Sequence, residues 1–417
     1  MLSHVSGLAC VRCGKVYRAG AHFTCPDCGP DEGILDVRYD LERAAETLTR
    51  RSLRRRSRSQ WRYRELLPLD ETHCPRDGLV GWSPLIDTPR LAQVLGVGRL
   101  RLKDDTRNPS GSFKDRASAV GVLHALQTGA SEIACASTGN AASSLACCAA
   151  AAGLHANIFV SRRIPEGKLA QLLAYGARVF RVDGSYADAY ALSTQACARF
   201  GWYNRNCAVN PYLVEGKKTC GLEIAEQCAD DPPDWVVCSV GDGCSIAGVY
   251  KGLAEMKALG VVAWTAHLLG VQAAGVAPLA AEFEHAADRH AAFPAKHASD
   301  TYADSINVPV PRNRRKALDA VRASDGAFVT VTDEQIMEAV RQAGSLAGVF
   351  AEPAAAAAVA GIAEARTRGI LDEHASVVAI ITGNGLKDIA GALRAVGVPH
   401  DISPRIRDIS RIVAGGA

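Results

Sequence analysis

Lys114 stands in the stretch NPSGSFKDR, Asn108 to Arg116, between a turn of small polar residues and an Asp-Arg pair. Ser110, Gly111 and Ser112 read as a turn that opens a helix, with Lys114 in its first turn. A lysine there opposes the helix dipole. The position suits an amine that is not a free cation, and an imine with an aldehyde cofactor is one such state. A solvated lysine paired with Asp115 or a glutamate is the other reading, and spacing alone favours it.

Three further turns follow apolar runs. STGNAASS, Ser137 to Ser144, comes after EIACA; its hydroxyls and the N–H groups of the next helix offer donors to a carboxylate. VGDGCS, Val240 to Ser245, comes after DWVVCS; Gly241 and Gly243 let backbone amides approach a phosphate, with Asp242 expected to face away. TGNGLKD, Thr382 to Asp388, comes after SVVAII. Each alone is an ordinary Gly turn of an α/β protein.

Four of the 14 cysteines form a pattern: Cys10 with Cys13 and Cys25 with Cys28, two CxxC pairs each followed by glycine. Four thiolates suit tetrahedral Zn²⁺ and leave no open position, so such a site is structural. Four reduced cysteines without metal are the alternative. A unit of roughly 40 residues buries little core, which a metal offsets.

These residues need a scaffold to position them. The chain has 417 residues, 48% hydrophobic and 22% charged, with net charge +3 and pI near 8.2. That composition excludes a disordered or fibrous chain, and the charge balance gives no reason to expect a nucleic-acid or membrane partner. No secretion signal or bilayer-spanning run stands out; Ala134–Ala152 is the nearest and is broken by Ser137–Asn140. A cytoplasmic protein with reduced thiols is expected. Eight arginines fall between Arg50 and Arg64. They read as a solvated segment covering the main domain rather than a polyanion-binding arm. EIACAS, ANIFVS, ARVFRV, DWVVCSV, HLLGVQ and SVVAIIT read as buried parallel strands alternating with helices, hence open parallel sheets covered on both faces. The expected organisation is a zinc-ribbon-like unit over 1–40, an Arg-rich linker over 41–80, a catalytic region over 81–400 and a tail without a strong element signal over 401–417.

The order of motifs resembles the fold type II pyridoxal-phosphate (PLP) enzymes, and within them the threonine synthase family. SGSFKDR, STGN, NPY…EGKKT, VGDG, ADSI, VFAEPAAAA and TGNGLKD carry the resemblance, behind the paired cysteines. It implies a tryptophan synthase β-like α/β fold of two open-sheet domains, and a lyase or transferase acting on an amino acid with a leaving group at Cβ or Cγ, expected as a homodimer. It implies Lys114 as the Schiff-base lysine and proton shuttle, and Asn140 as partner of the cofactor's phenolic oxygen. Gly241, Asp242, Gly243, Cys244 and Ser245 would form the phosphate cup, and Thr382 would bond the ring nitrogen. Ser137, Thr138 and Gly139 would bind the amino-acid carboxylate, with Ala141 a further substrate-binding position.

Two positions depart from the family pattern. Family members usually read STGNT and NPxRxEGQKT, whereas Ala141 and Leu213 stand here. The Thr and Arg look placed to hold a substrate phosphate, and leucine does not replace a charged fork. Either Lys217 or Lys218 supplies the cation, or the substrate carries no phosphate. Three functions remain open. One is conversion of O-phosphohomoserine and water to threonine and phosphate. Another is β-elimination or β-replacement, as in cysteate synthase or amino-acid ammonia-lyases. The last is a non-catalytic zinc-knuckle protein that binds nucleic acid.

Overall fold

The computed structural model describes residues 4–162, 164–207, 209–285 and 300–415. In chain order the strands are β1 (Val5–Cys10), β2 (Val16–Tyr17), β3 (Leu35–Tyr39), β4 (Leu85–Asp87), β5 (Arg99–Asp104), β6 (Glu132–Ala136), β7 (His155–Ser161), β8 (Arg178–Val182), β9 (Tyr203–Asn204), β10 (Trp235–Ser239), β11 (His267–Ala273), β12 (Ala327–Val331) and β13 (Ser376–Ile381). They form three sheets. A small antiparallel sheet runs β2-β1-β3, a six-stranded sheet β12-β11-β10-β13-β5-β4, and a four-stranded sheet β8-β7-β6-β9. In the two larger sheets every pairing is parallel except that of β4 with β5.

All six expected strands are present. β5, RLRLKD, escaped the sequence reading because its alternate residues are charged. Tertiary partners make burial of those charges possible: Lys103 reaches Glu223 at 2.7 Å with neither side chain exposed, and Arg101 reaches Asp231 at 3.0 Å. The helix Pro353–Thr367 is buried along most of its length. Its run of alanines lets it lie close to the large sheet, and a Cβ at Gly361 would come within 2.2 Å of Val271. The tail differs from expectation. It carries an amphipathic helix, Ile406–Gly415, with Ile406 and Val413 exposed.

The Arg-rich segment lies against the main body. Arg56 pairs with Glu65 at 2.6 Å and Arg62 with Glu226 at 2.7 Å, while Arg51, Arg54, Arg55 and Arg58 face solvent. This is the covering role read from the sequence. The three-stranded unit docks through Glu32 to Arg314 and Arg315, and through Asp36 to Lys251 and Lys316. The ring of Phe23 meets Tyr203 and Tyr212 edge-on.

Candidate active site

The polar turns collect at the carboxyl ends of strands, where ligands of parallel sheets bind. The turn before Lys114 follows β5, STGN follows β6, GDGC follows β10 and TGN follows β13. The Lys114 and Thr382 turns are bridged directly. Ser112 pairs antiparallel with Gly383, the N–H of Phe113 donates to the Thr382 carbonyl at 2.8 Å, and that of Asn384 to Gly111 at 3.0 Å.

Lys114 is the first residue of a 14-residue helix, Lys114–Gln127, and is half-buried. Its neighbours are committed elsewhere. The Asp115 carboxylate accepts from the Ser110 N–H at 2.7 Å and from the Ser110 hydroxyl, which fixes the turn. Arg116 is wholly buried and reaches Asp105, Glu223, Ser83 and Thr219. The pairing of Lys114 with Asp115 therefore does not form. The amine makes no hydrogen bond or ion pair among the described residues; the Phe113 ring, 5.9 Å away, is its nearest cation–π partner.

Asn140 opens the helix Asn140–Ala152 and is buried. Its amide donates to both oxygens of Glu352, at 2.9 and 3.0 Å, and its own carbonyl oxygen has no partner among the described residues. Burial raises the Glu352 carboxyl above its ordinary value, against the Asn140 bond and the fields of Lys168, Lys114 and Lys387. Lys387 is also buried; its ammonium donates to Ser143 at 2.9 Å and Gln171 at 2.8 Å, and burial lowers its pKa. Neither Glu352 nor Lys387 was assigned from sequence. Glu352 had one available signal, a single acid at the edge of an apolar run just before Pro353.

Gly243 has φ +91°, and a Cβ there would lie 2.8 Å from that of Ala317. Backbone alone fits this turn, which opens the helix Cys244–Ala258. Asp242 does face away: it accepts from the Arg312 N–H at 2.8 Å and the Asn313 amide at 2.5 Å. Cys244 is buried and Ser245 heads the same helix behind it. Thr382 is half-exposed and its hydroxyl has no partner among the described residues. Ser137, Thr138, Gly139 and Ala141 are all half-buried at the mouth of the Asn140 helix, and Ser137 Oγ accepts the Gly139 N–H at 3.1 Å.

The two lysines proposed as replacement cations part company. Lys217 points to the phosphate-type turn, 2.5 Å from Cys244 Sγ. Lys218 does not. It pairs with Glu215 at 2.6 Å and Glu255 at 2.8 Å, over the Tyr39 ring at 3.9 Å. Successive residues on a helix diverge by about 100°, so both cannot face one site. Leu213 is fully buried, and a Cβ at Gly121 would come within 2.5 Å of its Cδ2, so its side chain serves helix packing.

Away from this cluster, the Sγ atoms of Cys10, Cys13, Cys25 and Cys28 all lie within 4.8 Å of one another. Cys13 and Cys25 are 3.8 Å apart, and four thiolates around one zinc are separated by about 3.8 Å. Gly14 and Gly29 take φ +74° and +75°, and their N–H groups bond back to Cys10 and Cys25 at 2.9 and 3.0 Å. The donor set and its spacing fit a tetrahedral thiolate-bound ion.

The site also fits an aldehyde cofactor bearing a phosphate. Among the described residues it offers an uncommitted amine, a glycine turn at a helix N-terminus, a buried amide oxygen without a partner and an unpaired hydroxyl. Residues 77–383 match the family model "Pyridoxal-phosphate dependent enzyme". The chain is 36% identical to threonine synthase of Methanosarcina acetivorans, over 98% of this chain and 99% of that one. It is 35% identical to threonine synthase of Methanocaldococcus jannaschii, over 97% and 98%. Among solved structures, threonine deaminase isoform 2 of Solanum lycopersicum superposes with TM-score 0.64 at 22% identity, covering 75% of this chain and 87% of that one. Maize serine racemase gives TM-score 0.64 at 20% identity, covering 75% and 91%. These two likenesses concern the fold.

Proposed function

Because the chain belongs to the threonine synthase family of pyridoxal-phosphate-dependent lyases, we propose that Lys114 is its catalytic amine and that its substrate is an amino acid with a leaving group at Cβ or Cγ. The observation that carries this is the half-buried Lys114, unpaired among the described residues at the head of its helix, on a turn tied by backbone bonds to the Thr382 turn.

Pyridoxal phosphate, when bound, supplies an electron sink for the carbon that loses a proton. Lys114 would carry it covalently, Gly241–Ser245 would hold its phosphate through backbone N–H groups, Asn140 its phenolic oxygen and Thr382 its ring nitrogen. Ser137, Thr138 and Gly139 would bind the substrate carboxylate, with Ala141 beside them. With the carboxylate fixed, the Lys114 amine takes the Cα proton and returns a proton later in the cycle. The Asp115 and Arg116 contacts hold the helix that carries this amine, so its reach is set before substrate arrives.

The best single substrate is O-phosphohomoserine, with water adding at Cβ to give threonine. The likeness to the two relatives named threonine synthase and the cation Lys217 beside the phosphate-type turn support it. β-Elimination from a serine-like substrate is the second reading. It is favoured by Ala141 and by the buried, apolar Leu213, which leave two expected contacts to a substrate phosphate unmade. A homodimer and a structural zinc on Cys10, Cys13, Cys25 and Cys28 belong to the same proposal.

The test is a yellow holoprotein reduced with borohydride, digested and mapped, then assayed with O-phosphohomoserine, O-phosphoserine, serine, threonine and diaminopropionate. The label is expected on Lys114, with phosphate and threonine released from the first substrate. A label on another lysine, or one persisting in Lys114→Ala, overturns the catalytic assignment. Turnover of serine or diaminopropionate in place of O-phosphohomoserine overturns the substrate and selects elimination.

A further inference from the structure

Beside the cup, two residues of that scheme, Lys217 and Cys244, meet a third, Cys207, that has no part in it. Cys207 lies in the turn after β9, Lys217 on the helix Tyr212–Gln227 and Cys244 at the start of the helix Cys244–Ala258. The Lys217 ammonium is 3.1 Å from Cys207 Sγ and 2.5 Å from Cys244 Sγ. The Arg205 guanidinium lies 3.8 Å from Cys207 and is braced by Ser118 at 2.9 Å. Lys217 thus bridges the two sulfurs, and Arg205 adds a second cation at Cys207.

The neighbouring Cys244 thiol, with Lys217 and Arg205, draws the Cys207 pKa well below the ordinary thiol value against the cost of burial. Cys244 is driven the other way by its Cys207 neighbour and by burial. The remaining groups that feel Cys207 leave this order intact. The Asp242 carboxylate is tied to Arg312 and Asn313, Tyr190 lies beside Arg312, and burial keeps Cys135 protonated. Cys207 is half-buried, with part of its surface reaching solvent, and Cys244 is buried. An accessible thiolate next to a protonated thiol is the arrangement of a reacting and a resolving cysteine. Cys135, Cys148, Cys220 and Cys238 are buried with raised pKa values, as inert core thiols are.

We propose that Cys207 and Cys244 form a peroxide-reactive thiol pair that closes into a reversible disulfide beside the phosphate-type turn. The reading of Gly241–Ser245 as a cofactor turn gives the pair its significance, but the chemistry does not require it. The Cys207 thiolate attacks one oxygen of a hydroperoxide. The S–O bond forms, the O–O bond breaks, and hydroxide or alkoxide leaves and is protonated by solvent. Cys244 then gives up its proton and attacks the Cys207 sulfur. The S–S bond forms, the S–O bond breaks, and the departing hydroxide takes that proton as water. Two electrons pass from the sulfurs to the peroxide, and an added dithiol reverses the change.

The experiment treats reduced holoprotein with an equivalent of hydrogen peroxide, blocks free thiols and maps the peptides by mass. A Cys207–Cys244 linkage lost on dithiothreitol treatment is expected. Iodoacetamide on untreated protein should modify Cys207 at least about tenfold faster at pH 7 than Cys135, Cys220 or Cys238, with a midpoint below that of an ordinary thiol. Lys217→Met should slow that reaction about tenfold at pH 6.5, and Lys217→Arg should restore part of it. If the Met variant does not fold, the wild-type pH profile decides. A midpoint above pH 8, or peroxide treatment that leaves Cys207 and Cys244 unlinked, overturns the proposal. Because mass and alkylation are read without turnover, failure of the thiol pair is distinguishable from failure of the cofactor assignment, which the borohydride map reports.

Discussion

The side-chain amide of Asn140 lies 2.9 and 3.0 Å from the two carboxylate oxygens of Glu352, 212 positions away in the chain. One residue starts the helix after β6 and the other immediately precedes the helix Pro353–Thr367. The pair therefore links the four-stranded sheet to the six-stranded one across the site. It fixes the rotamer of Asn140 before any ligand arrives.

Glu352→Ala leaves that amide without its acceptor and opens space beside Gly383. Cofactor affinity, read by titration of the absorbance band, should fall about tenfold, the worth of one hydrogen bond to a buried charged group. Glu352→Gln keeps an acceptor for Asn140 and should lose less. Equal affinities for wild type and Glu352→Ala would contradict the role given to this contact.

Arg116 has no exposed surface and neutralises Asp105 and Glu223, themselves unexposed. Arg116→Met strands Asp105, leaves Glu223 with Lys103 as its one counter-charge, and should cost about 3–5 kcal/mol in urea denaturation. Arg50, 46% exposed and paired with Asp230, is the internal control; Arg50→Ala should change stability by less than about 1 kcal/mol.

His124 stacks on Tyr212 with ring centroids 3.8 Å apart, and its Nδ1 lies 2.8 Å from the Tyr203 hydroxyl. Burial lowers its pKa from 6.5 to about 4. Between those values the unfolded chain binds a proton that the folded chain refuses. The contribution is complete above pH 6.5 and declines as the pH falls toward 4, by on the order of 3 kcal/mol in all. His124→Gln should flatten that part of the stability profile. An unchanged slope between pH 6.5 and 4 would show that another group sets it.

Removing the four-cysteine centre should act locally. Cys10→Ser with Cys25→Ser should abolish one equivalent of zinc per chain in metal analysis while the cofactor spectrum largely survives. The unit docks through ion pairs such as Glu32 with Arg314, so protease cleavage should begin within residues 4–40 of the variant. Zinc-free wild type of unchanged stability would refute a structural metal.

Local spacing made part of this molecule legible from the sequence. Two CxxC pairs define their own knuckles, because three residues of chain and a glycine suffice to converge two sulfurs. Glycine and hydroxyl turns after apolar runs marked the strand ends, because buried parallel strands need apolar residues on both faces. What the turns could not specify was direction. Lys217 and Lys218 are adjacent and chemically alike, yet one meets the site and the other a pair of glutamates under Tyr39, because a helix turns successive side chains apart. Asp115 looked like a partner for Lys114 and instead closes the Ser110 turn. Lys103 disguised β5 as a polar segment until Glu223, 120 residues on, supplied its counter-charge. Glu352 joined Asn140 only through the meeting of two sheets. In each case the deciding partner is remote in sequence, and the low-dielectric interior makes its charge or hydrogen bond decisive, so only the tertiary fold could assign it.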